Sequence, residues 1–141
     1  MVFTIGLAEV VFVVKDVQRA ARFYREVVGL IAQSEADDEW AWFWVGEPGR
    51  DQRLALHKGT LLFEEHSPFP EGQRFGTIHY ALHVPAQRLG QAVEQVKSKS
   101  VPVYGPIDFT WRHARSYYFY DLDGNLLEFW SPEATPLQER V

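Results

Sequence analysis

The strongest constraint on the fold of this chain is a weak internal repeat, a strand, a helix and three further strands written twice within 141 residues. The stretch EVVFVVKD alternates, with Val10, Phe12 and Val14 on one face and Glu9, Val11 and Val13 on the other. HYALHVPA alternates likewise, with Tyr80, Leu82 and Val84 against His79, Ala81 and His83. Period-two alternation predicts a half-buried strand in each case. Each strand feeds a helix. Asp16 is placed as an N-cap, and Val17, Ala20, Ala21 and Tyr24 follow at i, i+3, i+4 and i+7. Leu89, Ala92, Val93 and Val96 repeat that spacing, with Gly29 closing the first helix and KSKSV the second.

Three strand candidates follow each helix: LIAQSEA, EWAWFWVG and QRLALHKG in the first half, VPVYGPI, RSYYFYD and NLLEFWS in the second. A repeat of this kind implies a unit that cannot bury its apolar face alone and pairs with its copy. The expected fold is α+β, with two βαβββ modules whose mixed sheets curl around a concave site. A single domain is expected, with module 1 over about residues 5–60 and module 2 over about residues 76–132. The Pro- and Gly-bearing stretch over 60–76 reads as a linker loop, whose apolar start TLLF also suits a short strand. Val10, Phe12 and Val14 should pack on the helix. The opposite face, with Glu9, His79, His83 and Glu128, should line the concave side.

Composition narrows the partners. Net charge is −5, from 14 Lys and Arg against 19 Asp and Glu, and argues against a nucleic-acid surface. Cysteine is absent, which excludes disulfides and thiolate metal sites. No apolar run approaches membrane-spanning length and no leader pattern is visible, so a cytoplasmic protein without membrane contacts is expected.

The polar residues on the expected concave face raise the functional question. Glu128 sits in LLEFW between Leu126 and Trp130 of its own face. A carboxylate there is costly to bury unless it is paired, hydrogen-bonded or bound to a cation, although an edge strand facing water would also accommodate it. His79 and His83 lie about 13 Å apart along a strand, too far to share one small ion. His79 and Glu128, from different strands, make the better pair.

Three stretches resemble the vicinal oxygen chelate superfamily, the group of glyoxalases, extradiol dioxygenases, fosfomycin-resistance proteins and bleomycin-binding proteins. VVFVVKDVQRAARFYREVVGL looks like its opening strand and helix, IHYALHV like the opening strand of its second module, and SYYFYDLDGNLLEF like its closing hairpin. The likeness covers residues 7 to 131, and Leu122 replaces the common Pro of the hairpin turn. The resemblance implies a divalent metal (Fe, Mn, Ni, Co, Zn or Mg) held by His79, Glu128 and Glu9. Glu9 stands where many relatives carry His. LALHK aligned on LLEFW puts Ala55, with no ligating atom, opposite Glu128, and His57 lies one step further on that face. An acid in place of His keeps metal binding possible, because carboxylate oxygen suits hard divalent ions.

In such a family the metal holds adjacent oxygens of a substrate, and Glu128 or Glu9 is implied as general base. His57 and His83 are candidates for proton transfer or orientation. Trp40, Trp42 and Trp44 share one face, as do Tyr118 and Tyr120, and Trp130 lies beside Glu128. Such stripes suit an ordinary core as well as a substrate wall. Arg112, His113 and Arg115 suit an anion clamp or a solvated basic turn. The resemblance thus implies a metal-dependent lyase, isomerase or dioxygenase acting on a small oxygenated, aromatic or non-aromatic compound, working as a homodimer. Two alternatives stay open: a fosfomycin-resistance-like transferase or hydrolase, and a metal-free module that sequesters a ligand, as bleomycin-binding relatives do.

Overall fold

Both alternating stretches form strands, and each lies at the edge of its own sheet. The computed structural model describes residues 2–3, 6–50, 52–60 and 78–132. The chain divides into two compact units, Met1–Thr77 and Ile78–Val141. From residue 61 onward the expected linker, with most of TLLF, lies outside the described residues.

In the first unit the order is β1 (Glu9–Val14), α1 (Val17–Phe23), β2 (Ile31–Ala32), β3 (Trp40–Trp44) and β4 (Arg53–Lys58). The sheet runs β1-β4-β3-β2 and is mixed, since β1 is parallel to β4 and the other pairs are antiparallel. Asp16 caps α1 by accepting a hydrogen bond from the Arg19 backbone N–H at 3.0 Å. The last turn widens into a π-helical turn over Tyr24–Val28, and Gly29 ends it at φ 86°, a left-handed conformation that suits glycine.

One face of this sheet is the core. Phe12, Val14, Ala41, Phe43, Leu54 and Leu56 are buried, together with Val17, Ala20, Ala21 and Tyr24 of the helical segment. The Tyr24 ring packs against Phe12 at 5.9 Å and Phe43 at 6.2 Å between centroids. Each Val, Leu or Phe side chain among them contributes about 1.5–3 kcal/mol when fully buried. The strand expected over LIAQSEA shrinks to two residues, because Asp37 organises the following turn. Its Oδ1 accepts the backbone N–H groups of Trp40 and Glu39, which hold its carboxyl below the usual carboxylate range.

In the second unit the order is β5 (His79–His83), α2 (Leu89–Ser98), β6 (Tyr104–Phe109), β7 (Ala114–Tyr120) and β8 (Leu126–Pro132). The sheet runs β5-β8-β7-β6, again with one parallel pair, β5 with β8. Leu89, Val93 and Val96 of α2 are buried, as are Leu127, Phe129 and Phe119 of the sheet. The DLDGN turn between β7 and β8 is built on Asp121. Its Oδ1 accepts the backbone N–H groups of Asp123 and Asn125, and Oδ2 accepts the Asn125 amide at 2.8 Å. These bonds make it a turn held by one buried carboxylate, as the Asp and Asn chemistry of the sequence implies.

Candidate functional site

Register decides which side chains meet on the helix-free face of the second unit. Side chains paired across strands share a face. Ala81 of β5 faces Glu128 of β8, and His79 faces Leu126. Tyr118 of β7 faces Glu128 from the other side, and Ser116 faces Trp130. His79, Ser116, Tyr118, Glu128 and Trp130 therefore form one patch, with His83 at its far end opposite Trp130.

Within this patch His79 Nε2 lies 2.9 Å from Glu128 Oε1. Glu128 is 5 % exposed, whereas half of the His79 side chain reaches solvent. The other oxygen, Oε2, accepts the Ser116 hydroxyl at 2.5 Å. A carboxylate buried to this degree needs such partners, since desolvation without them costs several kcal/mol. The Tyr118 ring stands edge-on to His79 at 6.0 Å, and His83 stands edge-on to Trp130 at 5.1 Å.

Imidazole nitrogen and carboxylate oxygen form a donor set that suits divalent first-row metals. Neighbouring ligands of such an ion, with bonds of about 2.1 Å, lie roughly 3 Å apart, and the His79–Glu128 separation meets that requirement. The two residues fit a metal. Among the described residues no three His, Asp or Glu side chains gather into a metal-sized cluster.

The first unit repeats the register with different chemistry. Glu9 faces Arg53, Val11 faces Ala55 and Val13 faces His57, while Trp40, Trp42 and Trp44 face His57, Ala55 and Arg53 from β3. Glu9 Oε2 accepts the Trp42 indole N–H at 3.2 Å. Trp42 stacks on Trp40 with centroids 5.1 Å apart and planes 4° apart, and Trp40 meets the His57 ring at 4.1 Å. His57 Nδ1 lies 2.7 Å from the Thr60 carbonyl. A carbonyl only accepts, so Nδ1 carries a proton. Arg53 lies over Trp44 at 5.9 Å and donates to Gln33 at 3.1 Å.

The structure thus joins His79, Glu128, Tyr118, Trp130 and His83 on one face, and Glu9, Trp42 and His57 on the corresponding face of the first unit. Arg115 stands apart. It pairs in register with Asp108 and Ser131, on the face opposite Glu128. Its guanidinium holds Asp108 through two hydrogen bonds, 2.6 and 3.1 Å, and keeps that carboxyl below the usual carboxylate range. His113 follows a 3-10 turn in a left-handed conformation, φ 49°, and is exposed. Ser116 is the site residue that pattern reading missed. Its signal was parity: counting back by two from Tyr118 puts Ser116, not Arg115, on the polar face.

Comparison with known proteins extends this picture. The family model for the Glyoxalase/Bleomycin resistance protein/Dioxygenase superfamily matches residues 6–129. Among solved structures the chain is similar to the integron cassette protein HFX_CASS4 from the mobile metagenome of the Halifax Harbour sewage outfall. Identity is 27 %, coverage is 91 % of this chain and 99 % of that one, and the TM-score is 0.68. It is also similar in fold to the fosfomycin resistance protein FosX from Listeria monocytogenes, at 19 % identity, 99 % and 100 % coverage and a TM-score of 0.69. A mutant of that FosX has been solved with Mn(II) and 1S,2S-dihydroxypropylphosphonic acid. A glyoxalase/dioxygenase from Nostoc punctiforme shares the fold at 22 % identity, 91 % coverage of both chains and a TM-score of 0.67. No curated protein matches the chain in sequence.

Proposed function

Because the chain belongs to the Glyoxalase/Bleomycin resistance protein/Dioxygenase superfamily, we propose that it is a metal-dependent enzyme of the glyoxalase or dioxygenase type. Its substrate is a small oxygenated compound that offers adjacent oxygens to one divalent ion. The observation that carries this reading is the His79–Glu128 pair, an imidazole and a buried carboxylate 2.9 Å apart on the helix-free face.

His79 Nε2 and Glu128 Oε1 are the proposed ligands of the second unit. Glu9, which the family likeness implies as a third ligand, belongs to the first unit, where its Oε2 accepts the Trp42 indole N–H. When bound, the ion would supply Lewis-acid stabilisation of negative charge on substrate oxygen. The chain's own residues do the rest. Ser116 holds the Glu128 carboxylate in place. Glu128 and Glu9 are the carboxylates available to take a proton from the substrate. His57, whose Nδ1 donates to the Thr60 carbonyl, and the exposed His83 are proton-transfer candidates. Tyr118 and Trp130 supply apolar surface beside Glu128 on its own face, and the Trp40–Trp42 stack supplies it on the corresponding face of the first unit. A homodimer in the cytoplasm is the proposed working form. No helix among the described residues is long and apolar enough to cross a membrane.

One specific observation favours a second reading. Ala55 stands where a further carboxylate could ligate, and it faces a Trp stack suited to a flat ligand. That combination suits metal-free sequestration of a planar compound. Elemental analysis of protein purified without chelators separates the two. One divalent ion per chain, diminished in Glu9→Ala, is expected. Metal-free protein that binds planar aromatics tightly would replace the enzyme reading with the sequestering one.

A further inference from the structure

We propose that Ser116 is a positioning residue for Glu128, one that fixes which carboxylate oxygen is offered to a metal. The proposal rests on the reading of Glu128 as a ligand given above. Ser116 is completely buried, and its hydroxyl lies 2.5 Å from Glu128 Oε2. An ionised carboxylate only accepts hydrogen bonds, so the hydroxyl proton points at Glu128. Oε2 is thereby engaged from β7, while Oε1 faces His79 Nε2 from β5.

Glu128 therefore has its two oxygens divided between two neighbouring strands. Rotation of the carboxylate that brought both oxygens toward His79 would break the Ser116 bond and leave a buried oxygen unpaired. The arrangement selects ligation through Oε1 alone. Register makes the division possible: Ser116 is two residue pairs along from the Tyr118–Glu128 pair and so on the same face, within diagonal reach of the Glu128 side chain. Groups that orient a ligand in this way typically change metal affinity by about 10–100-fold when removed.

A purely structural role for Ser116 would lower stability without changing how the folded protein binds metal. Two measurements on the full chain tell these apart. The first is a Mn(II) titration followed by electron paramagnetic resonance, on wild type, Ser116→Ala, Ser116→Thr and Glu128→Ala. The positioning role predicts affinity about 10–100-fold weaker in Ser116→Ala, rescue in Ser116→Thr, which keeps the hydroxyl, and loss in Glu128→Ala. Unchanged Mn(II) affinity in folded Ser116→Ala, with loss in Glu128→Ala, would overturn the role of Ser116 and leave the metal reading intact. The second is a metal-free crystal structure of Ser116→Ala, in which Glu128 Oε1 is expected to leave His79. Persistence of the His79–Glu128 contact there would overturn the proposal. That arm also decides the matter should the wild type bind no Mn(II), a result that by itself would count against the metal reading. Should Ser116→Ala fail to fold, Ser116→Cys, of similar shape and with a far weaker donor, takes its place in both arms.

Discussion

Ala55 holds in the first unit the register position that Glu128 holds in the second. Val11 faces Ala55 as Ala81 faces Glu128, and Trp42 faces Ala55 as Tyr118 faces Glu128. The two sheets share a scaffold and differ in the chemistry set upon it. At the position of Ser116, the donor that steadies Glu128, the first unit carries Trp40, which faces His57 as Ser116 faces Trp130.

That difference yields a stability prediction. Ala55 is fully buried, and Trp40 stands at the position from which Ser116 serves the carboxylate in the second unit. Ala55→Glu is expected to destabilise the protein by about 1–3 kcal/mol, from desolvation without a compensating hydrogen bond. Urea unfolding measures it, and a midpoint equal to the wild type's would show that the position tolerates a carboxylate.

The Trp42–Glu9 hydrogen bond predicts a coupling. Trp42→Phe keeps a ring on Trp40 but removes the indole donor, and Glu9→Gln weakens the acceptor. A double-mutant cycle on stability should give an interaction energy of about 0.5–1.5 kcal/mol. Strictly additive effects would mean that the 3.2 Å contact contributes nothing in solution.

Much of this architecture was legible in the chain. The alternation of Val10, Phe12 and Val14 and the 3.6-residue spacing of Val17, Ala20, Ala21 and Tyr24 both describe faces that water leaves, and all but the half-buried Val10 are buried. The pairing of His79 with Glu128 is a matter of register between strands some fifty residues apart. Periodicity narrows that relation without fixing it, because a slip of one residue exchanges the faces. The basic cluster stayed open between an anion clamp and a solvated turn for a related reason. Arg115 looks like an anion clamp by composition, yet its parity turns it toward Asp108. Ser116 was silent because one small polar residue among aromatics carries no pattern of its own.

The closing turn predicts a further loss. Asp121 is 7 % exposed and accepts from Asp123, Asn125 and the Asn125 amide. Asp121→Ala strands those donors and is expected to cost about 1–3 kcal/mol. Hydrogen exchange should show faster opening at Asn125. Protection at that amide equal to the wild type's would mean that backbone geometry alone holds the turn.

Alkaline pH offers a test of the core face. Burial first, and then the Asp121 charge, raise the Tyr80 phenol above its ordinary value of 10.0. The folded state therefore keeps a proton that the unfolded chain releases. Stability from this group is whole below pH 10.0 and falls as pH rises from there through the raised value. Tyr80→Phe should flatten that decline in unfolding experiments. An unchanged slope in the variant would assign the alkaline decline to other groups.

The central claim is that His79 and Glu128 together hold one divalent ion. Metal stoichiometry of wild type, His79→Ala and Glu128→Ala, each purified without chelators and verified as folded, tests it most directly. The prediction is one ion per chain in the wild type and near-complete loss in each variant. An equal metal content in all three proteins, or a folded wild type without metal, would contradict it.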